Sequence, residues 1–112
     1  MLKYKIVLAP FPFADLKTRK YRPLLCLTEP KGKHKEIVLA YMTSNTRNNK
    51  LESDVLLQKS DKYFKETGLK IDTCVKLNKL LTLPKEMLVG QLGSLPKNRI
   101  GETKKKLSNL FE

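Results

Sequence analysis

The sequence predicts a mainly β domain with a C-terminal helix, a small and strongly bent antiparallel sheet or barrel under a helical lid. Five or six short β-favouring runs are separated by Pro, Gly and polar clusters, and an apolar stripe at helical spacing is confined to the end of the chain. The length, 112 residues, suits one domain over 1–112 with a single core and a radius of gyration of roughly 13 Å.

Tyr4 to Ala9 reads as the first strand, carried by Ile6, Val7 and Leu8 and ended by Pro10-Phe11-Pro12-Phe13, whose prolines remove two ladder donors. A loop from Ala14 to Tyr21 leads to the apolar run Pro23-Leu24-Leu25-Cys26-Leu27, where Pro23 fits only near a strand start or on an edge. Glu36 to Thr43 is the third strand. A two-residue turn at Gly32-Lys33 would pair Cys26 with Leu39, Leu25 with Ala40, Leu24 with Tyr41 and Arg22 with Thr43. It would also set Glu29 against Glu36, a like-charge contact that a longer turn relieves.

Ser44 to Ser53 is a polar loop, Asp54 to Gln58 a short strand, and Ser60 to Thr67 a helical turn closed by Gly68. Asp72 to Leu83 and Met87 to Leu92 are the last strands, parted by Pro84. Pro96 opens a helix whose stripe is Ile100, Lys104, Leu107 and Phe111, with Thr103 and Leu110 beside it.

Twenty-three Lys and Arg against eleven Asp and Glu give a net charge of +12, which favours polyanionic partners, nucleic acid first. Residues 1–50 hold 11 basic and 3 acidic side chains, net +8, so the basic surface is weighted to the first half. The apolar runs are too short to cross a bilayer and no signal-peptide pattern is visible, which makes the cytoplasm the expected location, with no membrane partner. Cys26 and Cys74 lack a CxxC pair or a histidine at ligand spacing, so two buried thiols are expected and neither a metal nor another cofactor. The one histidine, His34, lies among lysines in a turn.

No phosphate-cradling Gly-rich loop, paired carboxylates or Ser/His/Asp set is present. What remains is Arg22 opposite Thr43 at the open end of the hairpin, flanked by Lys17, Arg19, Lys20, Ser44, Asn45 and Arg47. A guanidinium beside a hydroxyl suits a phosphodiester: its donor fork binds two phosphate oxygens, and the hydroxyl donates to one. RNA carries its own nucleophile, the 2′-OH, so orienting the phosphate and stabilising its transition-state charge are sufficient tasks for a protein. Spacing alone equally suits an Arg and a Thr that only begin and end strands at a solvated edge.

Ile6-Val7-Leu8-Ala9-Pro10-Phe11-Pro12-Phe13-Ala14-Asp15-Leu16, Tyr21-Arg22-Pro23-Leu24-Leu25-Cys26-Leu27 and Thr43-Ser44-Asn45 resemble the N-terminal signature of PemK/MazF-type toxins of bacterial toxin–antitoxin systems. The likeness continues through Gly68 to Val75, Leu80-Leu81-Thr82-Leu83 and Leu92-Gly93-Ser94-Leu95. It implies an SH3-like small barrel of the PemK/MazF/CcdB-like toxin fold, homodimeric, with metal-independent endoribonuclease activity. Single-stranded RNA would be cut to 2′,3′-cyclic phosphate and 5′-OH ends, and a cognate antitoxin would neutralise the toxin and bind DNA with it. Within the family's pattern, Arg22 and Thr43 carry catalysis; Lys17, Arg19, Lys20, Ser44, Asn45 and Arg47, which flank the pair in this sequence, are the expected RNA contacts. CcdB-like toxins use the same fold to bind DNA gyrase without nuclease chemistry, and a basic RNA-binding module is a third reading. Two departures stand out: Lys3-Tyr4-Lys5 replaces the Gly-Asp pair of many relatives, and His34 does not match the site histidine of some branches, leaving the general base unassigned.

Overall fold

The structure, a computed structural model, describes residues 1–11, 20–47 and 50–112. Six strands, β1 (Lys5–Phe11), β2 (Lys20–Cys26), β3 (Glu36–Thr43), β4 (Asp54–Leu57), β5 (Thr73–Pro84) and β6 (Gly90–Ser94), precede a helix, α1 (Lys97–Leu110). All neighbouring strands pair antiparallel, in the order β4-β5-β3-β2-β1-β6. The radius of gyration is 13.5 Å.

Strand alternation divides the apolar residues between two faces. Ile6, Leu25, Ala40, Met42, Val55 and Val75 form one core with Phe64 and Leu95, against which Ile100 and Leu107 of α1 pack. Val7, Ala9, Leu24, Cys26, Ile37 and Leu39 form a second, reached by Tyr41, Met87 and Leu88. Both cysteines are buried and unpaired; burial above all, with the nearby Glu29 charge, pushes the Cys26 thiol up to about 11.

The hairpin register expected from sequence is present: Leu24 pairs with Tyr41, Leu25 with Ala40 and Cys26 with Leu39. The turn differs. It spans four residues, Gly32 to Lys35, closed by a Lys31–Glu36 bridge, with Gly32 at φ 76° and Lys35 at φ 51°. Glu29 thereby escapes Glu36, and its carboxylate accepts the backbone N–H groups of Leu2 (2.8 Å) and Lys3 (3.2 Å). That clamp holds the segment in which Tyr4 takes φ 69°, a left-handed conformation that ordinarily favours glycine.

Pro10 does not end β1, and Pro23 lies inside β2 rather than at its start. In each case the ladder is one-sided: β6 pairs only with Lys5 to Leu8 of β1, and β3 only with Leu24 to Cys26 of β2. A proline there breaks no bond on its open side. The helical turn shortens to a 3-10 helix, Phe64–Thr67, ended by Gly68 at φ 71°. β4 stops one residue before Gln58, β5 runs Thr73–Pro84, and the last strand starts at Gly90 because Lys85–Met87 form another 3-10 turn. Pairing of β3 with β5 jumps between Ala40–Leu80 and Tyr41–Lys76, so β5 bulges at Leu77 to Lys79 and bends.

Pro96 is the N-cap of α1, and the stripe packs only in part: Ile100, Thr103 and Leu107 face the sheet, whereas Lys104, Leu110 and Phe111 are exposed. Polar contacts set the helix in place instead. Arg99 donates to the Leu56 carbonyl (2.7 Å) and pairs with Asp61 and Glu102, while Lys106 donates to the Asp54 carbonyl (2.7 Å) and to Glu102. These cations cover carbonyls of the edge strand β4, which blocks pairing with another chain.

Burial raises the Glu102 carboxyl, but hydrogen bonds from Arg99 and Lys106 outweigh it and leave the group below its ordinary 4.5. At Glu29 the Leu2 amide is the main cause of a shift in the same direction. A folded-state value below the unfolded one contributes stability above the unfolded value, and that stability is lost as pH falls through the folded one. The melting temperature is therefore expected to fall below about pH 4. Thermal melts of Glu102→Gln should start lower at neutral pH and fall less steeply with acid; parallel pH profiles for the two proteins would contradict this.

Candidate functional site

The ladder between β2 and β3 ends at Leu24–Tyr41. One step further along, Pro23 has no N–H to offer β3, and the two strands part. A cleft of about 420 Å³ opens there, lined by Arg22, Pro23, Leu24, Tyr41, Met42, Thr43 and Ser44 and by Leu69, Ile71 and Thr73 from the segment that leads into β5. Arg22 and Thr43 thus share a cleft without being ladder partners. Alternation puts both on the face of Leu24 and Leu39, at the end where that apolar row gives way to solvent.

Thr43 is the last residue of β3 and pairs with Cys74 of β5, which fixes its backbone. Its Oγ1 accepts the Asn45 N–H (3.1 Å), and Asn45 Oδ1 accepts the Arg47 N–H (3.4 Å). These two side-chain turns order the chain beyond β3. A hydroxyl that accepts a backbone N–H still has its proton to donate. Arg22 is exposed and pairs in β1 with Ala9, so its guanidinium is carried by a two-stranded support.

A second cleft of about 420 Å³ shares the Tyr41-Met42-Thr43 wall and is lined otherwise by Asn45, Leu51, Lys76, Asn78 and Lys79. Lys76 Nζ is paired at 2.9 Å with Asp54 Oδ2, with side chains 12% and 8% exposed. Burial pushes the Asp54 carboxyl up, but the Leu51 amide and the Lys76 ammonium prevail and hold it below its ordinary 3.8. Asn78 and Lys79 reach the cleft because they stand in the β5 bulge. Thr43 therefore lines both clefts, one carrying the Arg22 guanidinium and the other the exposed Lys79 ammonium beside the Lys76–Asp54 ion pair.

Of the remaining residues expected from sequence, Ser44 lines the first cleft and Asn45 the second. Lys20 is exposed two residues before Arg22, and Arg47 is exposed beyond Asn45; neither lines the two clefts. Lys17 and Arg19 lie outside the described residues. Sequence reasoning missed Lys76, Lys79, Leu69 and Ile71. The polar Lys76, Asn78 and Lys79 interrupting an apolar strand were a signal for the first two, but Leu69 and Ile71 carried none. His34 sits in the turn at the other end of the hairpin. Among the described residues no cluster of His, Cys, Asp or Glu could hold a metal ion, and no helix is long and apolar enough to cross a membrane.

A small curled antiparallel sheet, one helix across one face and an Arg/Thr cleft at the parted end of a hairpin define a small β protein with an open cleft that carries a guanidinium and a hydroxyl. The chain belongs to the family of PemK-like, MazF-like toxins of type II toxin–antitoxin systems, which it matches over residues 3–111. The fold is similar to that of the Mycobacterium tuberculosis toxin MazF-mt6, at 22% identity and a TM-score of 0.71 over 96% of this chain and 95% of that one. A mycobacterial endoribonuclease in complex with its cognate antitoxin is similar at 16% identity and a TM-score of 0.69, covering 99% of this chain and 94% of that one. MazF from Deinococcus radiodurans is similar at 21% identity and a TM-score of 0.67, covering 96% and 93%. A comparison with curated proteins finds no match.

Proposed function

We propose that this toxin is a metal-independent endoribonuclease acting on single-stranded RNA, leaving 2′,3′-cyclic phosphate and 5′-OH ends and so halting translation. The observation that carries this reading is the shared cleft of Arg22 and Thr43. The scissile phosphate lies between them, with its oxygens on the Arg22 fork and the Thr43 hydroxyl. The neighbouring 2′-OH gives up its proton to solvent and attacks phosphorus, the P–O2′ bond forms, the P–O5′ bond breaks, and the departing O5′ takes a proton from water to become the 5′-OH. Arg22 stabilises the charge that builds on the phosphorane oxygens. Lys76 and Lys79 receive the adjoining backbone phosphates, with Lys20, Ser44, Asn45 and Arg47 at the rim, and Lys17 and Arg19 act from the loop before β2.

The mycobacterial endoribonuclease that shares the fold is paired with an antitoxin. An acidic antitoxin segment laid over the two clefts, competing with RNA for the same cations, is the corresponding partner here. The working form is a homodimer in the cytoplasm, since one domain of this size offers little surface for several nucleotides. Incubating the protein with a long single-stranded RNA in excess EDTA and mapping the fragment ends tests the reading. Cuts at a recurring short motif, with cyclic-phosphate ends, are expected. Intact RNA beside well-folded protein would overturn it and make binding to a target such as DNA gyrase the next assay.

A further inference from the structure

Part of the lining of the first cleft, shared with Arg22, is apolar and open to water. Ile71 is 55% exposed and Leu69 is half-buried, and both stand in the segment between Gly68 and β5. Their backbone is held by two threonines. Thr67, fully buried, accepts the Leu69 N–H at its Oγ1 (3.0 Å), while Thr73, 4% exposed, donates from its Oγ1 to the Ile71 carbonyl (2.9 Å). Thr67 is fixed in turn by donating to the Phe64 carbonyl (2.7 Å). The side chain of the intervening Asp72 accepts the Lys59 N–H (2.8 Å), which anchors this stretch on its outer side.

An aliphatic side chain kept in solvent by a backbone pinned on both sides is a preorganised contact, because little entropy remains to be lost when something covers it. What covers it must bring both an apolar face and negative charge, since the same cleft is also lined by Arg22, Thr43 and Ser44. A nucleotide has that division within one unit. The cleft, about 420 Å³, accommodates a unit of that size.

Resting on the RNA reading of the site, we propose that the Leu69–Ile71 wall is a base-binding subsite for the nucleotide whose phosphate lies between Arg22 and Thr43. Leu69 and Ile71 offer the base area rather than hydrogen bonds, so the subsite orders the chain at the cut and favours a base over a bare backbone. The sequence readout falls to other contacts.

Binding of a 2′-O-methyl oligonucleotide, which lacks the nucleophile, separates this subsite from cleavage. Ile71→Ala and Leu69→Ala are each expected to weaken binding roughly fivefold, as loss of apolar contact with one base would. An abasic oligonucleotide of the same length should bind wild type and variants alike. Cleavage assays on RNA should show the same loss in KM with kcat little changed. Equal binding of the normal oligonucleotide by all three proteins, or an equal loss on the abasic one, would overturn the subsite. So would sedimentation showing that the variants lose self-association while binding RNA normally, since the wall would then be a subunit contact. If the oligonucleotide results hold and RNA is left uncut, the subsite stands and the nuclease reading fails. If RNA is cut and the variants match wild type, the reverse holds.

Discussion

Arg22→Ala is expected to lower the rate of RNA cleavage by on the order of 10² or more, the effect of removing one donor aimed at transition-state charge. That factor corresponds to about 2.7 kcal/mol of barrier. The side chain is exposed, and its backbone pairing with Ala9 is kept by alanine, so the melting temperature should change little. Arg22→Lys should recover only part of the rate, because an ammonium cannot hold two phosphate oxygens in a fixed fork. Single-turnover cleavage alongside thermal melts checks both points. Full activity in Arg22→Ala would remove the assignment of the cleft, and an unfolded variant would reassign Arg22 to stability.

Gly93→Ala is expected to produce a large loss of stability for a single added methyl group. A Cβ at Gly93 would run into the Glu66 carbonyl oxygen and would come 2.5 Å from the Thr67 carbonyl carbon, and both obstacles are backbone. Those atoms belong to the 3-10 helix Phe64–Thr67, which rests on β6 beside the register shift at Leu92. The clash also bears on the site, since the displaced segment leads directly into Leu69 and Ile71. Overpacking of this kind costs about 3 kcal/mol, and a drop of roughly 10 °C or more in melting temperature follows for a domain of this size. The contrast is Gly101→Ala on α1, where a Cβ meets nothing within 4 Å. There the better helix former should raise stability by about 0.5–1 kcal/mol. Similar melting temperatures for the two variants would contradict the packing of β6 against the 3-10 helix.

The six strands, the hairpin register and the closing helix were legible because alternation and helical spacing are properties of neighbours in the chain. That Arg22 and Thr43 stand at the same end of the hairpin was legible for the same reason, although the expected pairing between them is absent because the ladder stops at Leu24–Tyr41. Strand ends were not. Pro10 read as the end of a strand and Pro23 as a strand start or an edge, and whether a proline breaks a ladder depends on which side of the strand has a partner. The stripe of α1 read as apolar to its end, but packing stops at Leu107 and leaves Phe111 72% exposed.

By itself the sequence determined the family pattern, the mainly β architecture and the two residues that face the scissile phosphate in the proposed reaction, all of which follow from order along the chain. Tertiary structure alone decided that the strands part at Pro23 to make a cleft. It also decided that Lys76, held by a buried Asp54, lines a second cleft beside Thr43, and that Leu69 and Ile71 share the first cleft with Arg22. These relations join β2, β3, β4 and β5 with the segment beyond Gly68. Such contacts arise from how a bent sheet brings distant segments together, and no local period records them.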